Sequence, residues 1–188
     1  MPLMILAHPN IQQSAANKTI VEELKKSNIE LEIRDIYNLS PNYNIDVAAE
    51  QEALLRHDFI ILQYPMYWFN MPAILKVWFD QVFEYQFAYG SKGYKLKNKK
   101  LLPSFTVGQP ERNFKLDEYT SRMDNFLEPI KKSAEYSKMH YIEPVILYEI
   151  ASVYDVKNVT GNTKGEIINK AKEHSKRLQE TIKRYDKG

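Results

Sequence analysis

The stretch Phe59-Ile-Ile-Leu-Gln-Tyr-Pro-Met-Tyr-Trp-Phe-Asn-Met-Pro-Ala-Ile-Leu-Lys-Val-Trp-Phe-Asp80 decides the fold. Its first residues are a short apolar run, which fits a strand buried on both faces. Pro65 lacks the N–H that a sheet ladder needs, so the strand leaves the sheet there. The loop Met66-Tyr67-Trp68-Phe69-Asn70 follows, with Pro72 at the first position of a helix. Leu75, Trp78, Phe79, Val82 and Phe83 then recur at the spacing of one buried helical face. Strand, loop and helix make half of a βαβ unit. The loop lies at the strand's carboxyl end, where open α/β sheets bind their ligands. Three aromatics in a row on such a loop either pack against another chain or line a flat ligand. The residues alone leave both readings open.

Outward from this stretch the pattern repeats. Met4-Ile5-Leu6-Ala7 reads as a first strand stopped by His8-Pro9, and not as a signal peptide, since no positive charge precedes it. Ser14 opens a helix with Ile20, Val21 and Leu24 on its inner side. Ile29 to Arg34 alternates with period two, as a second strand with one wetter face does. Tyr37 to Asp46 reads as irregular. Val47 to His57 reads as a helix with Ala48, Leu54 and Leu55 inward. Lys100 to Gly108 reads as the fourth strand, where Pro103 predicts a bulge or a sheet edge. A helix from about Asp117 carries Tyr119, Met123, Phe126, Leu127 and Ile130 on one stripe, with a kink or break at Pro129. Tyr141 to Ile150 supplies the fifth strand, and Ala151 to Thr163 a loop. The last helix turns Ile167, Ala171, Leu178, Ile182 and Tyr185 inward. Strands alternating with helices predict a doubly wound, five-stranded parallel sheet with helices on both faces, in one domain spanning residues 1–188.

Composition narrows the function. Apolar residues make up 44% and charged residues 27%, the balance of an ordinary globular chain. No apolar run approaches the roughly 20 residues of a membrane span. The absence of cysteine excludes disulfides, thiolate metal sites and a cysteine nucleophile, and it fits a cytoplasmic protein. A formal charge of +2 gives no reason to expect nucleic acid, and Lys92, Lys95, Lys97, Lys99 and Lys100 read as a solvated loop. Neither a G-x-G-x-x-G nor a G-x-x-x-x-G-K-[ST] motif occurs.

Three loops carry chemistry. In the first, His8 to Asn17, a hydroxyl and an amide beside the free N–H groups of a helix start can hold a phosphate without glycines; Ser14 as a simple N-cap is the other reading. The second is Pro65 to Asn70. The third follows Thr106-Val-Gly108 and closes the same pocket in a sheet of this order.

Together these loops resemble the NAD(P)H:quinone oxidoreductase family of flavodoxin-like flavoproteins, which includes DT-diaphorase. Within it the chain is most similar to the ancillary flavoproteins of glutathione-regulated potassium efflux and the general stress protein 14 group. The matching residues are Leu6-Ala-His-Pro9 with Ser14 and Asn17, Asn44 to Ala53, Gln63 to Phe83, and Phe87-Ala-Tyr-Gly90. The resemblance runs from residue 3 to about residue 108.

The resemblance implies FMN, with FAD as the alternative, and NADPH or NADH as the hydride donor. The phosphate falls to His8, Ser14, Ala16 and Asn17, and the ring system to Pro65, Met66, Tyr67, Trp68 and Phe69, with Thr106, Gly108 and Gln109 closing the site. It implies ping-pong hydride transfer to a quinone, and a homodimer with its flavin sites at the interface. A regulatory subunit bound peripherally to a membrane potassium-efflux protein is the alternative function. A one-electron flavodoxin carrier fits less well, because near-neutral charge gives no acidic docking face. The third loop departs from the family pattern. Gln109 stands at the family's second glycine, Pro110 follows, and Asn113 stands where the nearest relatives have histidine. Asn113, Arg112 and Tyr67 are the catalytic candidates. Flavin binding is expected to persist while the rate or acceptor range differs. No metal site is expected.

Overall fold

The computed structural model describes residues 1–115, 122–151 and 161–186. Its sheet contains β1 (Leu3–Leu6), β2 (Glu32–Asp35), β3 (Phe59–Pro65) and β4 (Lys100–Thr106). Two short segments, β5 (His140–Tyr141) and β6 (Val145–Leu147), share the fifth position. The order is β2-β1-β3-β4-β5, with β6 also on β4, and every pairing is parallel. The chain moves one way from β1 to β2 and the other way to β3. This topological switch point opens a crevice at the strands' carboxyl ends.

Among the described residues six α-helices cover the sheet: α1 (Ala15–Lys26), α2 (Ile36–Leu39), α3 (Val47–Arg56), α4 (Ala73–Val82), α5 (Arg122–Tyr136) and α6 (Lys164–Tyr185). Alternation along the strands divides the core. Leu3, Ile5, Ile60, Leu62, Leu101 and Phe105 pack with α3, α4 and α5, whereas Met4, Leu6, Phe59, Ile61 and Leu102 pack with α1 and α6. All seven residues of β3 are buried, as a strand covered on both faces requires.

Several elements differ from the sequence reading. β2 begins at Glu32 rather than Ile29, and Ile29 and Leu31 pack against the core before the ladder starts. The segment after it is not irregular throughout. Asp35 accepts from the Asn38 N–H and caps α2, and Pro41 opens a further 3-10 turn. On α3 the inward side is Glu50, Ala53 and Leu54, while Ala48 and Leu55 are exposed. The carboxylate is drawn inward because Arg34 and the Trp78 indole meet it there.

Pro103 makes neither a bulge nor an edge, for it pairs in register with Leu62. Its nitrogen faces the other side, as the Leu101 carbonyl does toward Ile142 and the Val107 N–H toward Leu147. There the neighbouring strand is interrupted between Tyr141 and Val145, so no hydrogen bond is lost. α5 continues through Pro129 without a break. The expected helix start at Asp117 and Tyr119 lies outside the described residues. Lys99 is not a solvated lysine: it is buried and donates to the His57 carbonyl at 2.9 Å and to Asp58 at 2.8 Å. On α6 the expected Ile167, Ala171, Leu178 and Ile182 are buried, Tyr185 half so, and His174 and Ser175 join them.

Candidate functional site

The loops after β1, β3 and β4 meet at the carboxyl edge of the sheet. In the first, the Asn10 N–H donates to His8 Nδ1 at 3.1 Å, so that nitrogen accepts and Nε2 keeps the hydrogen. Burial lowers the His8 pKa, which favours this neutral form. A 3-10 turn, Ile11–Gln13, delivers Ser14 to the N-cap of α1, where its Oγ accepts from the Asn17 N–H at 3.1 Å and from Asn17 Nδ2 at 3.4 Å. With both acceptor positions engaged, the Ser14 hydrogen is available to donate. The Ala15 and Ala16 N–H groups lie in the first helical turn, which has no intrahelical acceptors. The donor set is suited to an anion, and no carboxylate belongs to the loop.

The second loop is pinned by the Met66 N–H on the Thr106 carbonyl at 2.8 Å. Tyr67 and Asn70 then exchange backbone hydrogen bonds of 2.9 and 3.0 Å around Trp68 and Phe69. Both central residues have positive φ, 48° and 63°, the backbone of a type I′ turn that favours Asn and Gly. Bulky side chains there are strained. Trp68 is 93% exposed, so the folded chain gives it almost no packing in return. Strain held at an exposed aromatic pair motivates a ligand-binding role. Phe69 rests on Phe126 of α5, with ring centroids 5.3 Å apart, and Phe126 in turn meets Phe114 of the third loop.

In the third loop the Val107 N–H donates to Leu147 and the Gln109 carbonyl accepts from Glu149. Pro110 opens the 3-10 turn Glu111–Phe114. Between this loop and the aromatic turn lies a cavity of about 260 Å³, lined by Met66, Trp68, Phe69, Gly108, Gln109 and Phe114 among others. Chain neighbours aside, a Cβ on Gly108 would meet only the Ala151 side chain within 4 Å among the described residues, at an ordinary 3.8 Å.

The expected site residues thus fall into groups. Ser14, Ala16 and Asn17 sit at the start of α1 and His8 in the loop just after β1, while Met66, Trp68, Phe69, Gly108 and Gln109 line the cavity. Thr106 is buried, and its hydroxyl accepts from Asn17 Nδ2 at 3.0 Å, beneath the first loop rather than in the cavity. Pro65 is buried at the end of β3. Tyr67 faces a second space of about 690 Å³ on the other flank of Trp68, shared with Tyr37 and Tyr43. Burial raises the pKa of Tyr67, so its hydroxyl keeps its proton. Asn113 Nδ2 donates to Gln109 Oε1 at 3.3 Å, and Arg112 is 77% exposed, 3.9 Å from Glu149. Neither lines the cavity.

Sequence reasoning missed Tyr37 and Tyr43, which stand in the segment read as irregular. It also missed the buried polar residues Ser104 and His174. A serine in a doubly covered strand and a histidine completing the spacing from Ala171 to Leu178 were the available signals. Among the described residues no group of three His, Cys, Asp or Glu is placed to hold a metal.

A family profile described as a flavodoxin-like fold matches residues 2–179, well past the motif-bearing part of the chain. The glutathione-regulated potassium-efflux system ancillary protein KefF of Enterobacter sp. (strain 638) is 38% identical over 148 residues, covering 79% of this chain and 83% of that protein. The uncharacterized NAD(P)H oxidoreductase YrkL of Bacillus subtilis (strain 168) is 37% identical over 159 residues, covering 83% and 91%. Among solved structures, general stress protein 14 of Treponema denticola in complex with FMN superposes with a TM-score of 0.80. It is 32% identical, with coverage of 95% of this chain and 97% of that one.

Proposed function

The chain belongs to the flavodoxin-like NAD(P)H oxidoreductase family, and from that premise we propose that it is an FMN-dependent NAD(P)H:quinone oxidoreductase, a cytoplasmic homodimer with each flavin site near the interface. One observation carries the reading: the cavity between Trp68-Phe69 and Gly108-Gln109 opens at the carboxyl ends of β3 and β4, and the donor set at Ser14 is tied to the same edge of the sheet through Asn17 and Thr106. A phosphate and a flat ring system, joined by a short chain, match that pairing of sites. The FMN bound to the T. denticola relative supports it.

In this reading His8 Nε2, the Ser14 hydroxyl and the Ala15 and Ala16 N–H groups hold the phosphate. Asn17 acts from beneath, through Ser14. Met66, Trp68 and Phe69 hold one side of the ring system and exclude water, and the Gly108-Gln109 backbone approaches the other. FMN bound there would supply two-electron ping-pong hydride chemistry between NADPH or NADH and a quinone. Tyr67 holds its proton beside the acceptor's entry, and Asn113 acts through Gln109.

The purified protein is expected to be yellow, to release FMN on denaturation and to oxidise NAD(P)H with menadione. A colourless protein that takes up no FMN would overturn the proposal. The similarity to KefF supports a second reading, in which the protein regulates a potassium-efflux antiporter and its redox activity is secondary. Co-purification with such an antiporter distinguishes that reading.

A further inference from the structure

Beneath the first loop a continuous chain of buried polar side chains crosses the layer between the sheet and helices α1 and α6. His174 Nε2 lies 2.9 Å from Ser104 Oγ, which donates to Gln63 Oε1 at 2.7 Å. Gln63 Nε2 donates to Asn17 Oδ1 at 2.9 Å, and Asn17 Nδ2 donates to Thr106 Oγ1 and, at 3.4 Å, to Ser14 Oγ. His174, Ser104 and Gln63 are fully buried, and Asn17 and Thr106 are 1% exposed. Their neighbours on the same layer are Met4, Leu6, Ile20, Leu24 and Leu102. Packing alone would be served by apolar residues at these positions, since each buried polar group costs free energy unless it is paired.

The chain has a direction. Ser104 spends its one hydrogen on Gln63, so the hydrogen between Ser104 and His174 belongs to the imidazole. His174 Nδ1 lies near the Ile146 carbonyl, which also accepts from Arg177 at 2.9 Å, but forms no well-shaped hydrogen bond there. With the Ser104 hydrogen committed to Gln63, the Nε2–H tautomer of the neutral imidazole is the one that completes the His174–Ser104 bond. Every later bond then points the same way, and Ser14 is left with its acceptor positions filled and its hydrogen directed outward. Reversing the chain would turn the Ser14 hydrogen inward, toward Asn17, and present lone pairs to an anion.

We infer that His174 is a positioning residue, setting the polarity of a buried relay through Ser104, Gln63 and Asn17 that turns Ser14 into a phosphate donor. The inference rests on the FMN reading. It adds that selection for a phosphorylated flavin begins in α6, a long way along the chain from the loop that touches the phosphate.

The test compares FMN with riboflavin, which lacks the phosphate, by fluorescence quenching on flavin-stripped wild type, Ser104→Ala, His174→Phe and His174→Gln. Ser104→Ala and His174→Phe should weaken FMN roughly tenfold and leave riboflavin unchanged. His174→Gln keeps an N–H donor and should recover most of the FMN affinity. Equal changes for both flavins, or an unchanged FMN preference, would overturn the relay while leaving the FMN reading intact. Wild type that binds neither flavin would overturn that reading itself. Nitrogen NMR of FMN-loaded wild type, independent of any variant's folding, should show His174 protonated at Nε2; an Nδ1–H tautomer refutes the inference.

Discussion

Glu50 and Trp78 are joined inside the protein: the indole Nε1 donates to Glu50 Oε2 at 2.9 Å while Arg34 holds Oε1 at 2.6 Å. Three elements, β2, α3 and α4, therefore meet on one carboxylate. Glu50→Ala leaves a fully buried indole N–H without its acceptor and leaves Arg34, among the described residues, with Glu32 alone at 3.7 Å. The loss should be about 2–3 kcal/mol. Trp78→Phe keeps the ion pair and most of the buried ring, and should cost about half as much. Urea unfolding measures both. A smaller loss for Glu50→Ala than for Trp78→Phe would show that the ring packing, not the carboxylate, ties α3 to α4.

Trp68 is held at φ 48° and is 93% exposed, so removing its side chain sacrifices little packing and relieves a strained backbone. Trp68→Asn should stabilise the flavin-free protein by about 0.5–1 kcal/mol, because Asn tolerates the left-handed region. The same change removes a face of the cavity and should weaken FMN retention. Thermal melts of the apo-protein and flavin titration read the two effects separately. If affinity is unchanged, Trp68 is not part of the ring site; if stability falls, another contact outweighs the strain.

What could be read from the sequence follows from how far apart the deciding residues lie. β3 and α4 were legible because an apolar run, two prolines and a helical stripe sit within one continuous stretch. The site loops were legible for the same reason. Glu50 was not, since its burial depends on Arg34 and Trp78, 16 and 28 residues away. Pro103 reads as a breaker until the interruption opposite it is seen. Ser104 and His174 are 70 residues apart, and only the packing of α6 on the sheet makes them partners. The helical period placed His174 on the inner stripe, but a single polar residue there carries no information about what it meets.

His174 also imposes a pH dependence. Burial first, and then the Arg177 charge, push its pKa down to about 3. In the unfolded chain it titrates near pH 6.5, so between those values the unfolded state binds the extra proton. Its contribution is therefore fully present above about pH 6.5 and is lost as pH falls, at up to roughly 1.4 kcal/mol per pH unit. His174→Gln removes that component. The stability difference between wild type and variant should shrink or invert from pH 7 to pH 5 in urea unfolding. A difference that stays constant would mean that His174 is not held neutral in the fold.

The third loop separates rate from acceptor size. Gln109 lines the cavity and accepts from Asn113 Nδ2, whereas Asn113 itself does not reach the lining. Gln109→Gly removes side-chain bulk from the cavity, so it should lower the KM for bulkier quinones with little change in kcat. Asn113→His introduces a group that can exchange a proton near neutral pH, and should raise kcat on the order of tenfold if that proton limits turnover. The gain should fall away as the imidazole is protonated below its pKa. A Gln109→Gly variant that changes kcat alone, or an Asn113→His variant with no new pH dependence, would remove the loop from control of the reaction.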